Sequence, residues 1–440
     1  MQIVTQVADL MQRIFGTEAE QVAADTRVIK RKRKFTAATL AQTLVMGFLQ
    51  KPNASVDDLA QMAGTCGVHV TPQAIEQRFT PALAKFLEGL LFVAIRQLVR
   101  ANDALVPLLQ RFTGVFLLDS TTISLPAVLA KAFPGCGGLK GSGEAAIKFQ
   151  VIWDLLSGSL HRLIAEAGRD CDVKSSAQSV PLPPGSLRIA DLGYFCLKTL
   201  VNLSSHAVYW ISRIQSHTAV FSATGEPLDL LRWLSQNWHG VPVDMPILLG
   251  ATEKMACRLL AWKVPEEIAN RRRRKVIAEF ARKGRVPSDE RLAWCDWMVL
   301  VTNLSEEQLT WREAVALYRA RWQIELLFKL WKSHGLIDEL TGATVEQQMS
   351  RFWARLLAVL LQHWLLLASV WGEMKHSLTK AARVIRRHAL VLASALSQPT
   401  ILIRVLENLR DLLKPIACQS KRKKPGTWQL LRSPDLLAYA

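Results

Sequence analysis

The spacing of apolar residues changes near residue 110. Before that point apolar side chains recur every three or four residues, as they do on one face of an α-helix. Two such sets are Ile3, Val7, Leu10, Met11 and Ile14, and Leu40, Leu44, Met46, Phe48 and Leu49. We therefore predict a helical N-terminal region over residues 1–110.

Two short segments of this region carry signals for helix starts. Ser55 precedes one segment and Thr71-Pro72 precedes the other, and Ser and Thr cap helix N-termini while Pro favours the first helical position. Two short helices around a turn are typical of a helix-turn-helix, in which Gln73, Gln77 and Arg78 would face DNA. They are also typical of an ordinary helical bundle, so both interpretations stay open.

After residue 112 the pattern becomes that of buried strands. The apolar run 115–118 ends in Asp119 and is followed by polar residues that predict a turn, and the run 187–190 ends in Asp191. If these two strands are parallel neighbours, their C-terminal ends place both carboxylates side by side at one edge of the sheet.

The region between and beyond these strands mixes patterns. Alternating apolar and polar residues at 147–153 and 160–166 predict a β-hairpin. Residues 215–293 contain short apolar pieces, scattered Gly and Pro, and the basic block 271–275. We interpret this segment as an inserted, partly β subdomain with a basic loop, which either follows DNA or is simply solvated.

The composition shows that the chain carries a large positive net charge. Lys and Arg number 55 against 37 Asp and Glu, so the net charge of +18 favours polyanions such as nucleic acid, or an anionic membrane surface. The longest uncharged apolar stretch, 356–371, falls short of the ~20 residues that span a bilayer and predicts a buried helix. Seven cysteines without a C-x-x-C pair, and an N-terminus without a signal-peptide pattern, predict a reducing, cytoplasmic compartment and no membrane partner.

One predicted helix separates polar from apolar residues. Tyr318, Arg321, Glu325 and Lys332, which we call the polar stripe, fall within about 60° of one another around the helix axis. The opposite face holds Ile324, Leu327, Leu330 and Trp331. The polar stripe presents a carboxylate flanked by two cations and a phenol, and the alternative is an exposed face with ordinary charge pairs.

Three acidic residues, Asp119, Asp191 and Glu325, stand in settings that suit a metal site. Clustered carboxylates repel one another and need cations, and hard oxygen ligands suit Mg²⁺. Two such ions about 3.5–4 Å apart activate water or a 3′-hydroxyl and stabilise the leaving oxygen in phosphodiester displacement.

The spacing Y-x2-R-x3-E-x6-K of the polar stripe resembles the signature of bacterial insertion-sequence transposases of the insertion-sequence-four type. Further blocks resemble the same family in the same order: LLDSTT around Asp119, then FPGCGG and AIKFQVIWDLLSG, then ADLGYF around Asp191. The similarity covers about residues 112–335.

This resemblance implies an α/β fold with a ribonuclease H-like catalytic core and a mainly β insertion at about 215–293. It also implies that Asp119, Asp191 and Glu325 form a catalytic triad that binds two Mg²⁺ ions, with Mn²⁺ as a substitute.

The resemblance also implies DNA contacts. Tyr318, Arg321 and Lys332 match positions that contact DNA phosphates near the element's end, for which Arg offers a bidentate fork and Lys a point charge. Trp297, on the predicted strand before the polar stripe, matches a tryptophan that stacks on a flipped base in some members of the family. The alternative for Trp297 is a core residue, since the chain has 14 tryptophans.

The expected protein is a transposase that binds the terminal inverted repeats of a mobile element, cleaves double-stranded DNA at its ends and transfers the 3′-OH ends to target DNA. We expect a DNA-binding region at 1–110, a catalytic domain at 111–340, and a helical region at 341–440 with a basic tail that supports a homodimer. The expected location is the bacterial cytoplasm, at the nucleoid when the protein is bound to DNA. The alternatives are a nuclease without strand transfer and an inactive DNA-binding regulator.

Overall fold

The computed structural model describes residues 2–30, 34–137, 143–371, 376–419 and 425–437. These residues form a mixed α/β protein. The helices are α1 (Gln2–Arg13), α2 (Ala19–Thr26), α3 (Ala37–Gln50), α4 (Val56–Thr65), α5 (Pro72–Glu76), α6 (Pro81–Ile95), α7 (Leu197–Ser205), α8 (Leu230–Asn237), α9 (Glu266–Arg282), α10 (Asp289–Ala293), α11 (Trp311–Ala320), α12 (Trp322–Gly335), α13 (Val345–Ser369), α14 (Leu378–Arg387), α15 (Ala389–Ala395), α16 (Pro399–Ile416) and α17 (Thr427–Arg432). The strands are β1 (Val115–Leu125), β2 (Ala145–Asp154), β3 (Leu160–Ala167), β4 (Leu187–Ala190), β5 (Tyr209–Arg213), β6 (Val220–Ser222), β7 (Val243–Leu249), β8 (Met255–Lys263) and β9 (Trp297–Thr302).

The chain divides into two compact units, each assembled from separate stretches of sequence. Unit 1 comprises Met1–Leu105, Ser120–Asp170 and Ile324–Lys421, and unit 2 comprises Val106–Asp119, Cys171–Gln323 and Arg422–Ala440. The division into regions 1–110, 111–340 and 341–440 stays a prediction, and the basic tail 421–424 lies outside the described residues.

Unit 1 is mainly helical, as the apolar spacing predicts for both ends of the chain. Helix α13 lies at its centre and packs against α3, α6 and α16. By length and composition α13 could cross a membrane, but 94% of its most apolar window is buried inside the protein. The predicted buried helix over 356–371 is thus confirmed as a core helix. The N-terminal helices end at Ile95, and most of the chain from there to residue 108 is irregular.

The two short helices of the possible helix-turn-helix are α4 and α5. Ser55 caps α4 in a capping box, and Thr71 caps α5, which is only five residues long. Helix α4 packs on α3, α5 and α15, so the pair belongs to the helical bundle of unit 1. The Arg78 guanidinium lies over the Phe35 ring, 5.5 Å from its centroid, and a DNA contact by this pair stays a prediction.

Strands β2 and β3 form the predicted hairpin and pair in antiparallel fashion. Its turn contains Gly158 at φ 73°, and a Cβ there would lie 2.4 Å from the Trp371 ring. The Gly158 carbonyl accepts hydrogen bonds from Trp153 Nε1 at 2.8 Å and from His363 Nε2 at 2.9 Å. Glycine is required at this turn because a side chain would displace the tryptophan that packs against it.

Unit 2 is built on a mixed sheet. Strands β1, β4 and β5 are parallel, and β5, β9, β8, β7 and β6 continue the sheet in antiparallel fashion. The prediction of a turn after Asp119 is wrong, because β1 continues to Leu125. Residues 120–125 alternate between more exposed polar and buried side chains, which is the period of a strand.

The prediction of a mainly β insertion at 215–293 is also wrong. Helices α8, α9 and α10 cover more of this segment than strands β6, β7 and β8, and the strands extend the sheet through β9. The basic block 271–275 lies inside α9 and not in a loop. Arg, Lys, Glu and Ala are good helix formers, and acidic residues in the first turn with Arg282 in the last complement the helix dipole.

Candidate active site

Asp119 and Asp191 follow the last paired residues of two neighbouring parallel strands. Strands β1 and β4 pair in register from Val115 opposite Leu187 to Leu118 opposite Ala190. The next residue on each strand is the aspartate. The structure therefore confirms that β1 and β4 are parallel neighbours and that they carry both carboxylates at the same level of the sheet.

The guanidinium of Arg321 lies beside both carboxylates. Arg321 Nη1 donates to Asp119 Oδ2 at 3.4 Å, and Arg321 Nε lies 3.8 Å from Asp191 Oδ1. The side chains of Arg321 and Asp119 are 15% and 17% exposed, and that of Asp191 is 44% exposed. Two close carboxylates repel each other, so the guanidinium stabilises the pair and the site attracts cations.

Arg321 forms the junction between α11 and α12. It keeps helical dihedrals, φ −49° and ψ −35°, and its N–H donates to the Tyr318 and Arg319 carbonyls. The polar stripe therefore runs over two consecutive helices with a one-residue junction. The start of α11 is fixed by a capping box between Thr310 and Glu313, and the Glu313 carboxylate also pairs with Arg111 at 2.7 Å.

Tyr318 is buried, with 7% of the residue exposed, and so does not present an open phenol to solvent. Burial raises the pKa of its hydroxyl to about 12, although the Arg213 and Arg321 guanidinium groups act in the opposite direction. The hydroxyl therefore stays protonated at neutral pH. The position of Arg213 was missed from the sequence, and its only signal is a cation at the end of an apolar strand, β5.

Glu325 and Lys332 lie further along α12, in the part that belongs to unit 1. Glu325 is half-buried one helical turn after Arg321, and Lys332 Nζ donates to the Thr122 carbonyl of β1 at 3.1 Å. The predicted packing face of this helix is confirmed, since its members are all buried: Ile324, Leu327, Leu330 and Trp331. Three residues of the polar stripe are therefore partly exposed and Tyr318 is buried, and Arg321 and Lys332 also make internal contacts.

The structure brings two of the three predicted metal ligands together. Among the described residues, no group of three or more His, Cys, Asp or Glu side chains is close enough to hold a metal ion. Asp119 and Asp191 nevertheless fit a divalent cation, because two neighbouring strands supply hard carboxylate oxygens at the same level of the sheet. The joining of Glu325 to this pair stays a prediction.

Trp297 belongs to the core of unit 2. It is 4% exposed and makes an edge contact with Trp238 at 5.5 Å, and its carbonyl accepts a hydrogen bond from Arg272 at 3.0 Å. These contacts fit the core interpretation better than base stacking. By contrast Trp322, directly after Arg321, is 55% exposed. Trp322 was not predicted from the sequence, although it stands four residues after Tyr318 and so close to the polar stripe.

Comparison with known proteins gives the class of this molecule. Residues 110–361 match the family described as "Transposase DDE domain", so the chain belongs to that family and is a DDE transposase. Its similarity to named proteins is to transposases of insertion sequences. It is 26% identical to the transposase for insertion sequence element IS231F of Bacillus thuringiensis subsp. israelensis, over 96% of this chain and 93% of that protein.

Two other relatives extend this picture. The transposase for insertion sequence element IS1151 of Clostridium perfringens is 26% identical over 78% of this chain and 76% of its own length. The putative transposase InsL for insertion sequence element IS186A of Escherichia coli strain K12 is 29% identical over 40% of this chain and 50% of its own length. The resemblance to insertion-sequence-four transposases is confirmed, and this class acts on DNA and uses divalent metal.

Proposed function

We propose that this transposase binds the terminal inverted repeats of its element, cleaves the DNA there and joins the freed 3′-OH ends to target DNA. The observation that carries the proposal is the pairing of Asp119 and Asp191 around Arg321 inside the matched domain. The proposed catalytic residues are Asp119, Asp191 and Glu325, and the proposed core is ribonuclease H-like. The parallel arrangement of β1, β4 and β5 supports such a core.

We assign the binding of Mg²⁺, or of Mn²⁺ in its place, to the three carboxylates. Two such ions, when bound, activate water or a 3′-hydroxyl and stabilise the leaving oxygen of the phosphodiester. The carboxylates supply the negative charge that holds the ions. Arg321 offsets part of this charge, so the third carboxylate of Glu325 would restore the negative charge that a metal site needs.

The proposed role of Arg321 is to bind a DNA phosphate beside the carboxylates. A guanidinium donates two parallel hydrogen bonds to a phosphate, and Arg321 is held partly buried, where such bonds are stronger than in water. The protonated hydroxyl of Tyr318 is a neighbour of Arg321. Lys332 adds a point charge from the next turns of α12.

The proposed assembly is a homodimer, because two element ends must be held together during transposition. The proposed location is the bacterial cytoplasm, where the protein meets chromosomal DNA. A nuclease without strand transfer is the second candidate, since the same carboxylates would serve hydrolysis alone.

The test uses a labelled duplex that carries the DNA flanking this reading frame. The Asp191→Asn variant keeps the shape of the side chain but removes its charge, so we expect Mg²⁺-dependent nicking to fall by orders of magnitude while binding in a gel shift is retained. The control is Asp289→Asn, which makes the same change at an exposed residue of α10.

Three outcomes separate the candidates. Nicking by Asp191→Asn at close to the wild-type rate would overturn the proposed site. Nicking without joining to a target plasmid would favour the nuclease. DNA binding by the wild-type protein without any cleavage would favour the inactive regulator.

A further inference from the structure

Helix α9 belongs to unit 2, and one of its faces packs against the rest of that unit. Arg272 donates to the Trp297 carbonyl at 3.0 Å, and Arg273 pairs with the Asp296 carboxylate and the Asn270 side chain. Ala269 is the only residue of α9 that is buried. Two arginines of the basic block thus hold the helix in place through polar contacts.

The other cations of the block point away from these contacts. Arg271, Arg274 and Lys275 are exposed, and in the part of the chain that the structure describes no carboxylate forms an ion pair with any of them. At about 100° per residue the three side chains lie within roughly 100° of one another, on one face of the helix. We call these three residues the α9 basic face.

The α9 basic face concentrates positive charge, and among the described residues no carboxylate lies within ion-pair distance of it. Residues three and four positions apart on a helix are neighbours, so Arg271 repels both Arg274 and Lys275. Glu267, one turn before Arg271, and Glu279, one turn after Lys275, offset part of this charge, but Glu279 pairs with Lys283 instead. Such a face is complementary to a regular array of negative charge.

We propose that the α9 basic face binds the phosphate backbone of duplex DNA, in addition to the contacts proposed for the polar stripe. The proposal rests on the proposed function in one respect, since it takes DNA as the substrate. Exposed arginine and lysine side chains contact phosphates without reading bases, and each contact releases counterions. The contact therefore adds affinity that depends on salt and not on sequence.

The test compares two double variants that each remove two positive charges from exposed helical positions of unit 2. Arg271→Gln/Lys275→Gln changes the α9 basic face, and the matched control Lys198→Gln/Arg232→Gln changes α7 and α8. Glutamine is a good helix former, so α9 should persist, and circular dichroism with thermal unfolding checks this. Binding to a random-sequence duplex is measured without divalent metal at several salt concentrations.

We expect the α9 double variant to lower the slope of log affinity against log salt by about 1.8, which is two contacts at ~0.9 each. The control double variant should keep the wild-type slope. An unchanged slope in the α9 variant overturns the proposal, and so does an equal fall in both variants, which would show an effect of net charge alone. Loss of binding to single-stranded DNA with unchanged duplex binding also overturns it.

The outcomes for α9 and for catalysis are independent. If the α9 variant keeps its slope while Asp191→Asn abolishes nicking, only the α9 proposal fails. If the slope falls while Asp191→Asn still nicks, the proposed catalytic site fails and the DNA contact at α9 stands.

Discussion

Unit 2 contains two concentrations of charge that differ in how the protein balances them. At the ends of the paired part of β1 and β4, two carboxylates share one guanidinium, and the group is partly buried. On α9 the exposed cations have no described carboxylate partner, and only their inward neighbours Arg272 and Arg273 are engaged. The first arrangement suits a bound metal ion and catalysis. The second suits a polyanion such as DNA that contacts the protein surface.

This difference implies that cleavage and general DNA affinity depend on different residues. Charges in the partly buried site interact strongly because solvent screens them little, whereas charges on α9 act through counterion release and weaken with salt. Substitutions at the partly buried site should therefore change the rate of cleavage, and substitutions on α9 should change the salt dependence of DNA binding.

The largest expected effect is at Glu325. Glu325→Gln keeps the helix and its cations but removes the charge of a proposed metal ligand, so Mg²⁺-dependent cleavage should fall by orders of magnitude. End binding in a gel shift should be retained, because repulsion between the carboxylate and DNA phosphates is reduced. Nicking is measured on the same labelled duplex, and Glu290→Gln on α10 is the control.

This prediction decides whether the site extends from two carboxylates to three. A Glu325→Gln protein that nicks at nearly the wild-type rate would show that Glu325 is no catalytic ligand. The polar stripe would then be an ordinary charged helix face around Arg321.

The second effect concerns the two tryptophans near the site. Trp297→Ala should lower the free energy of unfolding by about 3–5 kcal/mol, as for other buried aromatic residues, and should reduce all reaction steps alike. Trp322→Ala should change it by no more than about 0.5 kcal/mol, because Trp322 is exposed. Urea denaturation measures both values.

The reaction steps give an independent check on Trp297. If the element end passes through a DNA hairpin during excision, a loss of that step far beyond the loss of initial nicking would support base stacking by Trp297 and contradict the core interpretation. Loss of that step in Trp322→Ala, with normal stability, would instead assign the stacking surface to the exposed tryptophan next to Arg321.

The strand ends were predictable because their signal is local. An apolar run followed by an aspartate indicates a buried strand with a polar end, and two such runs placed Asp119 and Asp191 correctly once β1 and β4 proved to be parallel neighbours. The spacing of Ile324 and Leu327 likewise predicted the buried face of α12.

Helix α9 was missed because its signal is not apolar. Only Ala269 is buried along the helix, so its residues show no hydrophobic periodicity. Without that periodicity, a run of arginines is easily interpreted as a solvated loop. The burial of Tyr318 and the position of Arg213 near it were missed for a different reason. Both result from tertiary neighbours far away in the sequence, which spacing within one helix does not reveal.

The smallest expected effect is at Lys332, and it tests whether the polar stripe and α9 contact DNA independently. Lys332→Gln removes one proposed phosphate contact, so the salt slope of end binding should fall by about 0.9, and Lys198→Gln should leave it unchanged. Combined with the α9 double variant, the slopes should fall additively, because the two contacts are separate. An unchanged slope in Lys332→Gln would mean that its hydrogen bond to the Thr122 carbonyl is its main role, and that the stripe binds phosphate through Arg321 alone.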